Sequence, residues 1–535
     1  MQMKMLVSDA MSEEGLKILK GSGIPVDVIT GLGEDELCGI IGEYDGLIIR
    51  SGTTVTKKVI DAGKNLRVIG RAGVGVDNVD VPYATEKGIL VMNTPAANII
   101  SAAEHSMALI TSLARMIPWA HQSVHAGEWK RSKYTGIELY GKTLGIIGVG
   151  RVGGEVAKRA KAYNMTMLGY DPFLPKDVAD NLSVKLTTLE DVIKNADIMT
   201  IHAPLMPETK NMISMPQFRM MKKNALLVNV ARGGIVNEDD LYEALKDKVI
   251  AGAAFDVYVD EPLQKNCRLL ELDNLIMTPH LGASTVEAQE RVSVDIAENV
   301  VAYLRDNIIA NAINAPRCQT DAECLPYMPL AERLGICVRQ LNGMRPIDAI
   351  EVSCSGELVQ KNIKMISLAA IMGVMNNIHG GILNMVNAEA VARKNNVKIK
   401  ESRTDESRIY SNMVTVSVTS GKDVCTVRGT VFANRPRLVG VNGYDLEMPL
   451  DTDLLFAKYM DRPGVIGSVG KILGENDINI GHMTVGRDTK NGTAIMFLGV
   501  DNEIPAQLHA QIDKVTGFSE SKFIGIVKRH DTGQP

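Results

Sequence analysis

Short apolar runs, many of them β-branched, recur through residues 1–316, separated by segments whose apolar positions fall three and four apart. Continuous or alternating runs predict strands, and the 3.6-residue spacing predicts amphipathic helices. MKMLVSD, SEEGLKILKGSG and VDVIT give strand, helix, strand; YDGLIIRS, a helical stretch and LRVIGRAG repeat the unit. A second alternating series begins at GKTLGIIGVG and runs to about residue 285. Strands that alternate with helices predict parallel sheets, so this part of the chain is α/β, with two Rossmann-like doubly wound units. After Pro95 the pattern predicts one long helix, with Ser101-x-x-Glu104 as a capping box ahead of SMALITSLARM.

NAPRCQTDAECLPYMP carries three prolines and no periodicity, and reads as a linker near 314–329. Beyond it, residues 330–450 read as a separate mixed α+β domain. IDAIEVSCSG and MVTVSVTSGKDVCTVRGTVF alternate like strands, with helical KMISLAAIMGVMNNI and NAEAVARKNN between them. From Asp453 the order is βαββαβ, a ferredoxin-like arrangement. No acid–base pair stands out there, which points to binding instead of catalysis.

Length and charge narrow the classes. At 535 residues the chain is too long for one core. A formal net charge of −5 argues against nucleic acid as a partner, which needs clustered Lys/Arg in a basic domain. Apolar stretches are broken well short of a membrane span, and MQMKMLVSDAMSEEG turns acidic too soon for a signal peptide. The seven cysteines form no CxxC pair, so the expectation is free thiols in the cytoplasm and no metal site.

The chemistry begins at Gly148-Val149-Gly150-Arg151-Val152-Gly153, between the strand KTLGII and the helix GEVAKRAKAYN. In that setting Gly148 makes a tight turn, Gly150 lets the backbone approach a pyrophosphate, and Gly153 lets the helix pack closely. The next strand ends in Asp171, placed to accept from adenosine ribose hydroxyls. No arginine follows to receive a 2′-phosphate, so NAD is the expected cofactor. The unusual polar residues also gather where apolar runs end: His202-Ala203-Pro204, Arg232, Asp256 and His280. Ligands of doubly wound sheets bind at the carboxyl ends of the strands.

Three of these residues suit acid–base chemistry on a small acid. His280 leaves its strand between Pro279 and Leu281-Gly282 and titrates nearest neutrality of the common side chains. Glu261 or the adjacent Asp260, in DVYVDEP, offers an anion that favours the protonated imidazole. Arg232, between NVA and GG, presents a planar fork suited to a carboxylate.

GVGRVGGEVAKRA, LLVNVARGGIVNEDDL, FDVYVDEPL and TPHLGAST resemble the D-isomer-specific 2-hydroxyacid dehydrogenases. The resemblance selects Glu261, the acid directly before Pro262, and implies that His280 passes the proton, Glu261 tunes it and Arg232 orients the carboxylate. It implies hydride transfer between C2 of the hydroxy acid and the nicotinamide. Around the cofactor it implicates Val74, Arg151, Val152, Ala203, Pro204, Val230, Asp256 toward the carboxamide, Gly282 and Ala283. It implies a substrate-binding domain of 1–98 with 286–316, an NAD-binding domain of 99–285, and two C-terminal domains of 317–450 and 451–535.

IIRSGTTVT and RAGVGVDNVDV are similar to the substrate loops of the phosphoglycerate dehydrogenase branch, implicating Arg50, Ser51, Gly73 and Val74. Lys130-Arg131-Ser132-Lys133 is either a source of cations for a substrate phosphate, donated across a dimer, or a solvated basic turn. The C-terminal domains resemble that branch's intervening regulatory domain and an ACT domain, whose DRPG turn (461–464) and Asp477-Ile478-Asn479-Ile480 carry the likeness. The implied activity is NAD-linked oxidation of 3-phosphoglycerate at the head of serine biosynthesis, in a homo-oligomer (dimer or tetramer). Serine is the expected effector, with Tyr459, Asp461 and Asn479 expected to converge around it. A glyoxylate or hydroxypyruvate reductase shares the same triad, and a non-catalytic NAD sensor shares the glycine motif.

Overall fold

The computed structural model describes residues 3–315, 322–376, 383–404, 410–489 and 492–526. Its first sheet has five parallel strands in the order Val26–Val28, Met5–Val7, Gly46–Ile49, Val68–Arg71, Leu90–Met92. Most of its positions are buried, as continuous apolar runs require when helices cover both faces. The helix Val286–Asp306 arrives from far along the chain, and its Val292, Ile296, Val300 and Leu304, each four apart, enter the core of Met5, Val7, Ile48 and Val68. Each such side chain contributes roughly 1.5–3 kcal/mol by leaving water. That burial returns the chain to the domain in which it began.

The second sheet holds seven parallel strands in the order Leu275–Met277, Gly252–Phe255, Leu226–Asn229, Ile198–Ile201, Thr143–Ile147, Thr166–Tyr170, Lys185–Leu186. Strand order reverses between Thr143–Ile147 and Ile198–Ile201, which opens a crevice beyond their carboxyl ends.

The helix expected after Pro95 is two helices. Ile99–Ala114 ends before Met116, whose φ of 53° is left-handed, and Ile117–His125 starts again with Pro118 in its first turn. The Ser101–Glu104 capping box does not form. Asn98 occupies the N-cap, Ser101 lies buried inside the helix with no hydrogen-bond partner for Oγ among the described residues, and Glu104 pairs with Arg159 at 2.9 Å. The linker near 314–329 is shorter than expected, because a 3₁₀ turn at Ala322–Cys324 and the helix Tyr327–Leu341 already occupy its second half. Residues 316–321 lie outside the described residues.

The next domain is a six-stranded mixed sheet in the order Lys398–Thr404, Ala349–Gly356, Asn412–Ser420, Asp423–Phe432, Arg435–Val441, Tyr444–Pro449. The last domain is the expected βαββαβ unit, with its antiparallel strands ordered Ile480–Arg487, Thr493–Val500, Asp453–Met460, Glu520–Ile524. The two are less separate than their patterns suggest. In Asp453–Met460, Leu455, Ala457 and Tyr459 face the domain's own helices, while Leu454 and Phe456 join one core with Leu330, Leu334 and Val416 of the preceding domain. Period-two alternation with both faces apolar, in LLFA, is the trace of that double packing. Among the described residues no helix is long and apolar enough to cross a membrane.

Candidate active site

Gly148 sits at the reversal of strand order with φ of 85°, and a Cβ there would lie 2.8 Å from the His202 carbonyl. Only glycine therefore makes this turn. Gly153 abuts the Gly148 carbonyl, so the helix Arg151–Ala162 packs directly behind the loop and points its N-terminus into the crevice. Asp171 closes one side: its Oδ2 accepts from Val149 N–H at 3.0 Å and its Oδ1 from Phe173 N–H at 2.9 Å. The carboxylate is thus anchored beside the loop, with lone pairs left for ribose hydroxyls. Arg151 reaches back to the Pro95 carbonyl at 3.3 Å, and Val152 packs into the core. Ala203 and Pro204 follow the buried strand Ile198–Ile201, and Val230 meets Gly282 across the crevice. These residues form a cradle that fits a dinucleotide.

Across the crevice, His280 Nδ1 donates to Glu261 Oε2 at 2.6 Å. A carboxylate only accepts, so Nδ1 carries the proton and Nε2 is the ring nitrogen left to exchange one. Glu261 Oε1 also accepts from Tyr258 N–H at 2.9 Å. Burial alone would raise its carboxyl, but the hydrogen bonds from His280 and Tyr258 outweigh that and hold it below the ordinary range. Asp260, the alternative partner, is exposed.

His280 itself is left-handed, with φ of 55°, an unfavourable conformation that its neighbours must maintain. The fully buried Asp256 does much of this: it accepts from Leu281 N–H and Gly282 N–H, both at 2.8 Å, and from the Thr278 hydroxyl at 2.5 Å. The place of Asp256 under the His280 loop was not legible in the sequence, where the resemblance implied a contact to the carboxamide. Ala283 continues the same segment, partly exposed.

Arg232 joins the two domains. It leaves the strand Leu226–Asn229, donates to its neighbour's carbonyl (Ala231, 2.7 Å) and pairs through Nε with Asp77 of the first domain at 3.3 Å. Gly233 behind it touches the Tyr258–Val259 backbone, leaving no room for a Cβ and locking the arginine turn to the Glu261 loop. On the first domain, Asp9 accepts from Arg50 N–H at 2.6 Å and Thr53 N–H at 3.1 Å, which shapes the Arg50-Ser51 loop. Gly73 and Val74 are held by Thr94 N–H and Asn93 Nδ2.

Arg71 went unnoticed in the sequence, although it ends the strand Val68–Arg71 just as Arg232 follows its own. Burial, the neighbouring Arg232 and then Arg50 push its guanidinium down to about 10 against the pull of Asp77 and Asp9. Arg71 and Arg232 both lie against the glycine loop 73–75, and Arg50 is within electrostatic reach of Arg71. Arg131 is not among them within this chain: it stacks over Trp129 in the exposed turn Arg131–Tyr134, while Lys130 pairs with Glu128 at 2.9 Å.

Tyr459, Asp461 and Asn479 do not converge. The pairing Met460–Thr493 lies at one end of the C-terminal sheet and Ile480–Val500 at the other. Seven residue steps separate them, roughly 23 Å at strand rise. In a β-α-β crossover the end of one strand and the start of the next are at opposite edges, which explains the miss. Asp461 lies 3.3 Å from Arg487, Asn479 donates to Asp501 at 2.8 Å, and Tyr459 is buried beside Phe518. Among the described residues no cluster of His, Cys, Asp and Glu is arranged for a metal ion.

Comparison with known proteins adds three family matches. The NAD-binding domain of D-isomer specific 2-hydroxyacid dehydrogenases matches residues 107–282, the D-3-phosphoglycerate dehydrogenase intervening domain residues 323–442, and the ACT domain residues 454–517. D-3-phosphoglycerate dehydrogenase of Methanocaldococcus jannaschii is 43% identical over 527 residues, covering 98% of this chain and 100% of the relative. That of Archaeoglobus fulgidus is 41% identical over the same shares. Among solved structures, D-lactate dehydrogenase of Aquifex aeolicus, complexed with NAD and lactic acid, is 28% identical with a TM-score of 0.52, covering 58% of this chain and 99% of that one.

Proposed function

Because the chain belongs to the D-3-phosphoglycerate dehydrogenases, a branch of the D-isomer-specific 2-hydroxyacid dehydrogenases, we propose that it oxidises D-3-phosphoglycerate to 3-phosphohydroxypyruvate with NAD, opening L-serine synthesis. The observation that carries the substrate is the approach of Arg71 and Arg232 to the glycine loop 73–75, with Arg50 within electrostatic reach and Asp77 and Asp9 opposing. Three mutually repelling cations favour a multiply charged anion, and a carboxylate with a phosphate supplies the complement.

Arg232 forks onto the carboxylate and polarises the C2 oxygen; Arg71 and Arg50 take the phosphate. His280 Nε2 removes the C2 hydroxyl proton, and Glu261 stabilises the imidazolium that results. NAD supplies the acceptor for the hydride that leaves C2 as the carbonyl forms. In reduction His280 returns the proton.

The proposal places the enzyme in the cytoplasm as a homo-oligomer, with serine as feedback effector. Because Asp461 and Asn479 sit at opposite ends of one sheet, a serine site built from both takes one residue from each of two copies. Arg131, exposed beside Trp129, is likewise offered to a neighbouring copy.

The test compares NADH oxidation with 3-phosphohydroxypyruvate, hydroxypyruvate and glyoxylate. Preference for the phosphorylated keto acid by 100-fold or more in kcat/KM supports the assignment. Faster turnover of glyoxylate overturns it.

A further inference from the structure

The dehydrogenase chemistry uses His280 and Glu261, yet the backbone that carries His280 is held by groups that take no part in the proton transfer. We propose that His105 is a positioning residue for His280, acting through Asp256 and Thr278. Its imidazole projects from the helix Ile99–Ala114, the first element after the chain crosses between domains. Nε2 lies 3.2 Å from Asp256 Oδ1 and 3.3 Å from Thr278 Oγ1. The Thr278 hydroxyl donates to that same Asp256 oxygen at 2.5 Å. His105 therefore closes a three-membered polar cluster whose other contacts run to the backbone on both sides of His280.

That backbone needs holding. His280 is left-handed at φ of 55°, and a non-glycine residue stays there only when its surroundings dictate it. Pro279 restrains the approach, and Leu281 and Gly282 are tied to Asp256 on exit. The Thr278 carbonyl accepts from the buried Tyr258 hydroxyl at 3.1 Å, and Tyr258 N–H donates to Glu261. The same web thus reaches both members of the His280–Glu261 pair. The titratable groups facing Asp256 from the packed elements are His105, Tyr258 and Glu261. Of these His105 alone comes from the helix Ile99–Ala114. Asp256 is fully buried, and besides Thr278, Leu281 and Gly282 of the His280 segment it is approached by His105 at 3.2 Å.

With His105 gone, the buried carboxylate keeps its two amide bonds but loses one of its fixed partners, and Thr278 regains rotational freedom. The loop then samples positions in which His280 Nε2 no longer meets the C2 oxygen. Misplacement of a proton-transfer group by about 1 Å costs on the order of 10²-fold at most, while binding of the acid at Arg232, on another loop, is spared. Helix packing is not at issue, because His105 is partly exposed and its neighbours Ala102, Ala103 and Ser106 carry the buried face.

The experiment uses full-length protein and any 2-keto acid that the unmodified enzyme reduces, so it does not depend on phosphoglycerate being the natural substrate. His105→Leu, His105→Gln and Thr278→Val are compared for kcat, KM, NADH affinity, thermal midpoint and the primary isotope effect with NADH deuterated at C4. We expect His105→Leu to lower kcat at least 10-fold with keto-acid KM and NADH affinity within threefold, and to raise the isotope effect. His105→Gln, whose amide nitrogen donates near the place of Nε2, returns kcat to within threefold of the original, and Thr278→Val repeats part of the loss. An unchanged kcat in His105→Leu overturns the proposal. So does a loss that tracks a lowered midpoint with an unchanged isotope effect and no rescue by glutamine, since that pattern belongs to a merely structural residue.

Discussion

Replacing Glu261 by glutamine keeps the shape of the catalytic pair and removes its charge. Glutamine has a single acceptor oxygen, so it keeps either the 2.6 Å contact from His280 Nδ1 or the 2.9 Å contact from Tyr258 N–H and turns its NH2 toward the other. What disappears is the anion that favours the protonated ring. A hydrogen bond to a charged group is worth about 1.5–3 kcal/mol and a neutral one about 0.5–1.5 kcal/mol. The pair is part exposed, 48% for the His280 side chain and 34% for that of Glu261, so solvent screens part of the difference. About 1 kcal/mol remains, roughly a fivefold loss of rate on the alkaline side. Keto-acid reduction consumes a proton held on His280, so its high-pH limb moves to lower pH. Glu261 is held below the ordinary carboxylate range and stays ionised throughout such an assay, so the limb is not its own titration. The measurement is kcat/KM for NADH-dependent reduction followed across neutral and alkaline pH. A limb that stays in place in Glu261→Gln, or moves to higher pH, refutes the pairing as the source of proton control.

Further outcomes follow from other parts of the site. His280→Ala lowers turnover by about 10²–10⁴-fold while NADH binding, followed by fluorescence, changes little. Arg71→Ala lowers kcat/KM for phosphohydroxypyruvate by roughly 10–100-fold, the loss of one or two charge-assisted hydrogen bonds, and lowers that for hydroxypyruvate far less; equal losses on both argue against a phosphate contact. Asp171→Ala weakens NADH and narrows the preference over NADPH, read from paired titrations. Asp256 is raised by burial but held below its ordinary range overall by His105, the Leu281 amide and Thr278. Its stabilisation is therefore present above the ordinary aspartate range and lost as pH falls through the depressed value. Asp256→Asn costs about 1–3 kcal/mol at neutral pH, and the gap to the unmodified protein narrows in acid denaturant melts. Millimolar serine slows turnover, and Asp461→Ala abolishes that inhibition while uninhibited activity persists.

The strands were legible because buried parallel strands are written as continuous apolar runs, and the site because polar residues break those runs at their carboxyl ends. Arg232, Asp256 and His280 were found that way. Arg71 obeys the same rule at the end of VIGR, but its meaning lies in the nearness of Arg232 from the other domain, and distance across domains leaves no local trace. His105 sits inside a helix with nothing local to mark it, and its partner Thr278 lies 173 positions away. Ser101 and Glu104 match a capping pattern in composition, yet Asn98 starts the helix earlier and leaves Ser101 inside it. The effector residues failed for a topological reason already contained in the βαββαβ order: a crossover returns the chain to the far edge before the next strand begins.

The account stands most directly on the forward reaction. Purified protein is given NAD and D-3-phosphoglycerate at alkaline pH, with hydrazine to trap the keto acid, and absorbance at 340 nm is followed. The account predicts NADH formation that saturates in phosphoglycerate, requires the D isomer and vanishes in His280→Ala. No NADH from phosphoglycerate, in protein that still reduces glyoxylate with NADH, would contradict it.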